Sequence, residues 1–222
     1  MRKFICAVLF TPFFILSSVK AQQNVYLSAH LSTQGPGLEV KYVPQPGFNL
    51  RAGASMLPLS FNTSYTVQSR PADAAVDVEV ANAHFMFDWH PFIKSESFSN
   101  KILLSTGAAY FWKSRGDAVV TYDGTFEFDD VEIPANEVGE LYGNIQWNKF
   151  APYFGLGIEN PRPKKRVNVG FAIGAYYMGE PSVEVTGTKY LTDTERDEQE
   201  LRENVSPYQF LPVVQVNLNI RL

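Results

Sequence analysis

The chain has very little of several features on which common protein classes depend. Its one cysteine, Cys6, rules out a disulfide framework within the chain. Beyond residue 21, no stretch approaches the roughly 18 consecutive apolar residues of a membrane helix. The 23 acidic residues outnumber the 19 basic ones, which is the opposite of the balance needed for binding nucleic-acid phosphates. Only three histidines are available for metal or acid–base chemistry.

The amino terminus has the layout of a secretory signal peptide. Arg2 and Lys3 precede an apolar run, and small residues close on Ala21. This order predicts cleavage after residue 21, so we divide the chain into a leader, 1–21, and one domain, 22–222. The leader contains three basic residues and no acid, so its removal changes the net charge from −4 to −7.

Most of the remaining chain alternates apolar and polar residues with a period of two, which is typical of β-strands. Eight such segments predict eight strands and an all-β fold. They lie near residues 25–32, 38–42, 49–56, 76–90, 102–112, 150–158, 167–177 and 214–222. The phase of the alternation changes near Val80 and Ala81, which predicts a β-bulge at that point.

The connections between the predicted strands alternate in length, except that the first, at Gly35, is short where the pattern would require a long one. Those after strands two, four and six run about ten residues or fewer, and those after strands three, five and seven about twenty to thirty-five. An outer-membrane barrel has this asymmetry, with short periplasmic turns and long extracellular loops. We therefore predict an eight-stranded antiparallel transmembrane up-and-down β-barrel in which the last strand pairs with the first.

Two barrel classes fit alternating strands, and they differ in which face is apolar. A soluble lipocalin-like barrel has its apolar face inside, whereas a membrane barrel has it outside and a polar or small-residue face inside. The last strand favours the membrane class, because its apolar positions are unbroken. The residues opposite them are polar: Gln215, Asn217, Asn219 and Arg221.

Four short motifs, taken in order, resemble a known family. FDWHPF (87–92), APYFGLG (151–157), GAYYMGEP (174–181) and the final strand are similar to small outer-membrane β-barrel proteins of the OmpA-like and OmpW-like superfamily. The resemblance implies an outer-membrane location, contact with outer-membrane lipids and insertion by the barrel-assembly machinery. We further expect a monomer without cofactors and, from the charge balance, without a nucleic-acid partner.

Five charged residues fall on the predicted inward faces. They are Glu39, Lys41, Arg51, Asp88 and Arg221. Unpaired charges in a narrow lumen are costly, and eight strands leave a lumen only just wide enough for side chains. We therefore predict that these five residues form a structural ion-pair network that plugs the barrel.

His30 has Ser28 and Ser32 on its own face, which leaves open a histidine–serine site like that of lipid-modifying barrel enzymes. Catalysis would need a base within about 3 Å of an activated hydroxyl. We favour the alternative that all three side chains point into a polar lumen, and we expect no catalytic residues.

His84, Asp88 and His90 also share one face at strand spacing, which leaves a metal site open. A zinc site would need further ligands from other strands, and the sequence does not identify them. We therefore expect no metal and no cofactor.

The long connections are acidic. Residues 113–148 and 180–207 each contain eight acids, which suit either a solvated surface or divalent cations held beside anionic lipids. The segment VVTYDGTFEF (119–128) predicts an Asp-Gly hairpin. The segment 192–205 predicts a short helix, capped by Thr192 or Asp193 and stopped before Pro207.

These observations favour a non-enzymatic outer-membrane barrel with an envelope-structural or surface-interaction role. A transport barrel for small or apolar solutes, as among OmpW relatives, is the main alternative. A lipid-modifying barrel enzyme is a third.

Overall fold

The computed structural model describes residues 24–67, 70–122, 125–128, 131–134, 138–161, 165–192 and 194–222. The predicted leader lies outside these ranges. The strands are β1 (Val25–Ser32), β2 (Gly35–Gln45), β3 (Phe48–Val67), β4 (Arg70–Trp89), β5 (Ile102–Tyr122), β6 (Thr125–Phe128), β7 (Val131–Pro134), β8 (Glu140–Gln146), β9 (Phe150–Glu159), β10 (Val167–Tyr177), β11 (Ser182–Gly187) and β12 (Phe210–Arg221). A 3₁₀ turn (Phe98–Lys101) and a helix, α1 (Glu195–Val205), complete the described elements.

Eight of the strands close into an antiparallel ring, as predicted. The ring runs β5-β4-β3-β2-β1-β12-β10-β9, and β9 pairs back with β5. The last strand pairs with the first, with Leu27 opposite Ile220 and Ser32 opposite Gln215. Closure leaves no free edge within the ring.

The two faces of the ring are also those predicted for a membrane barrel. Large apolar side chains point outward on every ring strand and are exposed, with Leu38 at 62 % and Phe154 at 68 %. Polar residues such as Ser28, Glu39 and Asn219 point inward and are buried. This is the reverse of the arrangement in a soluble barrel.

The prediction of a long loop after the third strand is wrong. β3 and β4 are each 20 residues long, and β3 ends at Val67 where β4 begins at Arg70. Their far halves, with the far half of β5, continue past the ring and are extended by β8 and β11. We call this five-stranded part the upright sheet. The end of the barrel from which it projects is called the loop end. The opposite end, where β2 joins β3, is called the turn end.

The phase change near Val80 and Ala81 has a different cause from the one predicted. The β-bulge occurs at this level, but its extra residue is Trp112 of β5, because Ala81 faces Lys113 while Asn82 faces Phe111. Along β4 the alternation of inward and outward residues continues, and what changes is the face that is apolar.

Outward residues of β4 are apolar nearer the turn end and charged in the upright sheet. Phe85 and Phe87 point outward and are exposed, whereas Asp77 and Glu79 occupy the outward positions further along. The inward positions change in the opposite sense, from His84 to valine. The surroundings of the outer face therefore change from apolar to aqueous at this level of the barrel.

The predicted helix exists but begins later. Its N-cap is Thr194, whose hydroxyl donates to the Val185 carbonyl instead of capping the helix. The proposed cap Thr192 is therefore wrong, and Asp193 lies outside the described residues. The helix stops before Pro207 as predicted, and Leu201 packs near Gly143 of β8. In the described part of the chain, no helix has the length and apolar character to cross a membrane.

The predicted hairpin at VVTYDGTFEF is only partly described, because residues 123–124 lie outside the described ranges. β6 pairs with β7, and the far half of β5 pairs with β8, so that Arg115 faces Gln146. The pairing of 119–122 with 125–128 that the hairpin required is therefore wrong.

The ring register predicts a specific cross-link. Ser28 lies directly opposite Asn219, and directly opposite residues bring their Cβ atoms to about 4.5–5.5 Å, close to disulfide geometry. We expect the pair Ser28→Cys and Asn219→Cys to form a disulfide, detected by mass spectrometry of non-reduced peptides.

The control pair is Ser28→Cys with Asn217→Cys, which lies on a diagonal at about 7–8 Å. Equal cross-linking of both pairs would contradict the register.

Candidate functional site

The half of the lumen nearer the turn end contains a buried charge network centred on Arg51. Its Nε and Nη2 donate to the two oxygens of Asp88 at 2.8 and 3.0 Å, and its Nη1 donates to Glu39 at 3.2 Å. The side chains of all three are at most 5 % exposed. Neighbouring strands β2, β3 and β4 supply them, so three of the five predicted residues come together.

A second pair crosses the lumen from β2 to β9. Lys41 binds the carboxylate of Glu159, which also accepts from Asn168 at 3.1 Å. Glu159 is not among the predicted network residues because the predicted strand stopped at Ile158, one residue short of the observed end. The alternation along the strand was the available signal, since Glu159 is the next inward position after Gly157.

Glu39 has more partners than any other carboxylate in the network. Besides Arg51, it contacts His84 Nε2 at 3.0 Å, His30 Nδ1 at 3.5 Å and Gln215 Nε2 at 2.9 Å. Gly53 leaves the room for this, because a Cβ there would lie 2.6 Å from Glu39 Cγ. Glu39 thus links its own strand, β2, to four other strands of the ring through one buried carboxylate.

Arg221 does not join Arg51, contrary to the prediction. It is half-buried, with its guanidinium 5.9 Å from the ring centroid of Tyr26, and its Nη2 donates to the Lys165 carbonyl at 3.4 Å. In the strand register, Arg221 of β12 lies opposite Tyr26 of β1, and Tyr26 lies opposite Lys41 of β2. Lys41 in turn lies opposite Arg51 of β3. Three strand spacings, about 14 Å along the wall, therefore separate the two arginines.

His30 has a serine partner, but it is neither of the two serines on its own strand that left a histidine–serine site open. Ser28 donates to Asn219, and Ser32 donates to the Gly35 carbonyl at 3.1 Å. His30 Nε2 instead lies 2.9 Å from Ser55 Oγ on β3, and its Nδ1 faces Glu39.

Ser55, His30 and Glu39 stand in the order of a catalytic triad, but the hydroxyl is not accessible. Ser55 is 3 % exposed, whereas a nucleophile must reach within about 3 Å of a substrate atom. Glu39 is also shared with Arg51 and His84. The arrangement therefore extends the buried polar network rather than forming an open site.

The three residues weighed for a metal site do not converge. His84 pairs with Glu39 and Asn82, while Asp88 pairs with Arg51 and accepts from Ser105 at 2.6 Å. Within the described ranges, no group of three or more His, Cys, Asp or Glu side chains is placed to hold a metal ion.

The half of the lumen nearer the loop end is apolar and aromatic, which corrects the expectation that all inward residues are polar or small. Phe111 and Tyr176 meet edge to face at 5.3 Å, and Tyr153 and Tyr176 lie 4.9 Å apart. Phe111 continues the inward positions Ser105 and Ala109, but it was not predicted in the lumen because only polar or small inward residues were expected there. Glycines make room for this aromatic layer, because a Cβ at Gly174 would clash with the Tyr153 hydroxyl.

An apolar cavity of about 390 Å³ lies beyond the aromatic layer. Val78 and Val80 of β4 form one wall, and Trp147 and Tyr208 contribute to another, joined by a hydrogen bond from Trp147 Nε1 to the Tyr208 carbonyl at 3.0 Å. The remaining lining residues are Ser114, Arg115, Ile145, Met178, Val205, Phe210, Leu211 and Pro212. Mostly apolar walls with few polar groups are typical of small-molecule sites.

The fold is similar to that of known barrels. The crystal structure of Acinetobacter baumannii CarO matches with a TM-score of 0.64 and 22 % identity, over 92 % of this chain and 100 % of that one. The crystal structure of A. baumannii CarO2 matches with a TM-score of 0.63 and 23 % identity, over 90 % and 98 %. No protein-family model and no curated protein matches the chain.

These likenesses define the class of the fold. It is a closed, eight-stranded antiparallel β-barrel like that of the CarO outer-membrane barrels. At 22 and 23 % identity the likeness extends to the fold alone.

The charge network predicts a large loss of stability when its centre is removed. Arg51→Ala leaves two carboxylates buried without their cation, which is expected to lower the free energy of unfolding by about 3–5 kcal/mol. Denaturant unfolding in a single detergent measures the change.

Lys113→Ala is the matched control, because it breaks a pair with Glu79 on the solvent-exposed upright sheet and should change little. Equal unfolding curves for the two variants would show that the buried network contributes no special stability.

Proposed function

We propose that the protein is a non-enzymatic, integral outer-membrane β-barrel, with its turn end in the periplasm and its upright sheet outside the cell. Its lumen is plugged, and its role is to support the envelope or to contact molecules at the cell surface. The outward apolar belt on all eight ring strands is the observation that carries this proposal. Its partners are outer-membrane lipids and, during insertion, the barrel-assembly machinery, and it acts as a monomer.

The belt supports a membrane location because its area is far too large for a protein in water. Exposed side chains such as Leu31, Phe154 and Val169 are each more than 60 % exposed and recur around the whole ring. Apolar patches of this kind mark a surface that another apolar phase covers. The change on β4 from outward Phe85 to outward Glu79 supports a membrane boundary between them.

The filled lumen supports a plugged barrel rather than an open pore. One layer is the ion-pair network of Glu39, Lys41, Arg51, Asp88 and Glu159, and the other is the aromatic layer of Phe111, Tyr153 and Tyr176. Eight strands enclose little more than the volume of their own side chains. A solute crossing the barrel would have to displace both layers.

The apolar cavity favours a second candidate function, the binding and passage of an apolar solute. The cavity is bounded by both the barrel and the segment after α1, and its walls are mostly apolar, as in small-molecule sites. The aromatic layer lies at its floor, since Met178 lines the cavity and packs in the same buried cluster as Phe111 and Tyr176. Passage to the periplasm would still require the charge network to open.

A charge placed on the belt is expected to destabilise the protein in lipid. Phe85→Arg puts a cation on the outward face, at a cost of about 2–4 kcal/mol near the middle of the bilayer. Unfolding of the protein refolded into phospholipid vesicles measures this cost.

Ser60→Arg is the matched control, because Ser60 also points outward but lies in the upright sheet. Little change is expected there. A similar cost at both positions would argue against the proposed membrane boundary.

The plugged lumen predicts no steady conductance. The mature protein reconstituted into planar bilayers should show no stable channel, whereas a porin reconstituted in parallel should. A reproducible open channel would overturn the plug and support the transport candidate.

A further inference from the structure

β3 has a long unpaired edge in the upright sheet. β2 pairs with β3 only as far as Ser55, whereas β4 pairs with it along its whole length to Val67. Across the described ranges, no strand pairs with the other side of residues 56–67. Gly35 of β2 still lies against the Met56 carbonyl, so the open edge begins at Pro58, and its roughly ten residues span about 33 Å.

The hydrogen-bond pattern identifies which backbone groups face this edge. The Ser114 carbonyl accepts from Trp147 N at 3.1 Å and so points away from β4. Val80, which faces Ser114, must then direct its backbone groups to Leu57 of β3. Alternation places the backbone groups of the even-numbered residues on the free edge: Pro58, Ser60, Asn62 and Ser64. Pro58 fits there, because its missing N–H would break a ladder on the paired side.

The edge lacks the charges that usually protect a free strand. Residues 56–67 read MLPLSFNTSYTV and contain no charged residue, although natural edges commonly carry lysine or inward-pointing charge. Leu59 and Phe61 lie on the inner face and are each 47 % exposed, while Ser60 and Asn62 lie on the outer face. An added strand would therefore find an apolar inner side and a polar outer side.

A second copy of the chain fits this edge poorly. Two copies inserted in one membrane are related by an axis along the membrane normal, so their β3 strands run parallel. Rotation about that axis places the inner face of one sheet in line with the outer face of the other. Leu59 and Phe61 would then continue into the partner's polar face, which favours a different protein as the occupant.

The outer face beside the edge is acidic. Ser60 and Ser64 donate to Asp77 and Asp73 of β4, and neither aspartate makes an ion pair with another described residue. Glu79 differs, because hydrogen bonds from Lys113 and Arg115 hold its pKa below the usual range. An added strand lies two strand spacings, about 10 Å, from the two aspartates, within reach of a lysine or arginine side chain.

We propose that this free edge of β3 is a strand-addition site for an extended segment of a soluble extracellular protein. In that segment apolar residues alternate with basic ones, with the apolar side on Leu59 and Phe61 and the basic side towards Asp73 and Asp77. Main-chain hydrogen bonds supply affinity in this mode, and alternate side chains supply specificity. The extracellular placement rests on the proposed function, but the edge and its chemistry do not.

The test uses the mature protein in detergent and in zwitterionic nanodiscs. The probe is a fluorescent synthetic peptide of about nine residues that alternates leucine and lysine. Asn62→Pro removes an edge-facing N–H without touching the β3–β4 ladder, and Asn62→Ala is the matched control that keeps it. Heat-modifiable gel mobility verifies that each variant is folded.

We expect Asn62→Pro to weaken peptide binding about tenfold, the loss of one or two main-chain hydrogen bonds, while Asn62→Ala binds as the wild type does. A peptide alternating leucine and glutamate should bind about tenfold more weakly. In the wild-type protein, the amides of Ser60, Asn62 and Ser64 should exchange more slowly when the leucine–lysine peptide is bound.

Equal binding by Asn62→Pro and Asn62→Ala, or unchanged amide exchange, would overturn the proposal. A dimer that Asn62→Pro converts to a monomer would overturn it in favour of a second copy. If Asn62→Pro does not fold, the exchange measurement on the wild-type protein decides. Binding in detergent by a protein that does not insert into the outer membrane would refute the proposed function and leave the edge site standing.

Discussion

The bidentate pair between Arg51 and Asp88 is the interaction on which the interior depends. A ring of eight strands with an apolar outer face must turn its charges inward, where water cannot solvate them fully. Arg51 satisfies one carboxylate on β4 and another on β2 from its position on β3. Through Glu39 the same network reaches His30 on β1 and Gln215 on β12. Arg51 and Glu39 together therefore connect five consecutive strands of the ring, on the side where the barrel closes.

The sequence was sufficient to predict the ring because strands and faces follow from local alternation. A period of two alone assigns neighbouring residues to opposite faces of the wall. It places Leu27, Val40 and Phe85 on the outer face and Ser28, Lys41 and His84 on the inner face. The pairing of β1 with β12 followed from closure. Four of the five predicted network residues are buried in the lumen, because parity alone assigns a residue to a face.

Contacts that depend on strand stagger could not be predicted in this way. Lys41 meets Glu159 across the lumen, and His30 meets Ser55 rather than a serine of its own strand. Arg221 lies on the predicted side of the wall but three strands from Arg51, which parity does not reveal. The continuation of β3 past residue 56 was missed because its outward polar residues, such as Ser60 and Asn62, resemble a loop. The predicted strand at 76–90 already reached this part of the sheet, and the signal for its partner was the inward pair Leu59 and Phe61, opposite Val78 and Val76.

The closure of β1 on β12 also bears on the order of folding. Ser28 and Asn219 are 191 positions apart in the chain yet hydrogen-bond to each other. The contacts that seal the ring are thus among the least local in the molecule, and contacts of this kind slow folding because a long loop must be ordered first. The local hairpins β1–β2 and β3–β4 can form early, but the polar lumen stays open to water until the final strand arrives. Until then, the carboxylates and cations inside remain hydrated, so desolvation of the network and closure of the wall are expected to occur in one step.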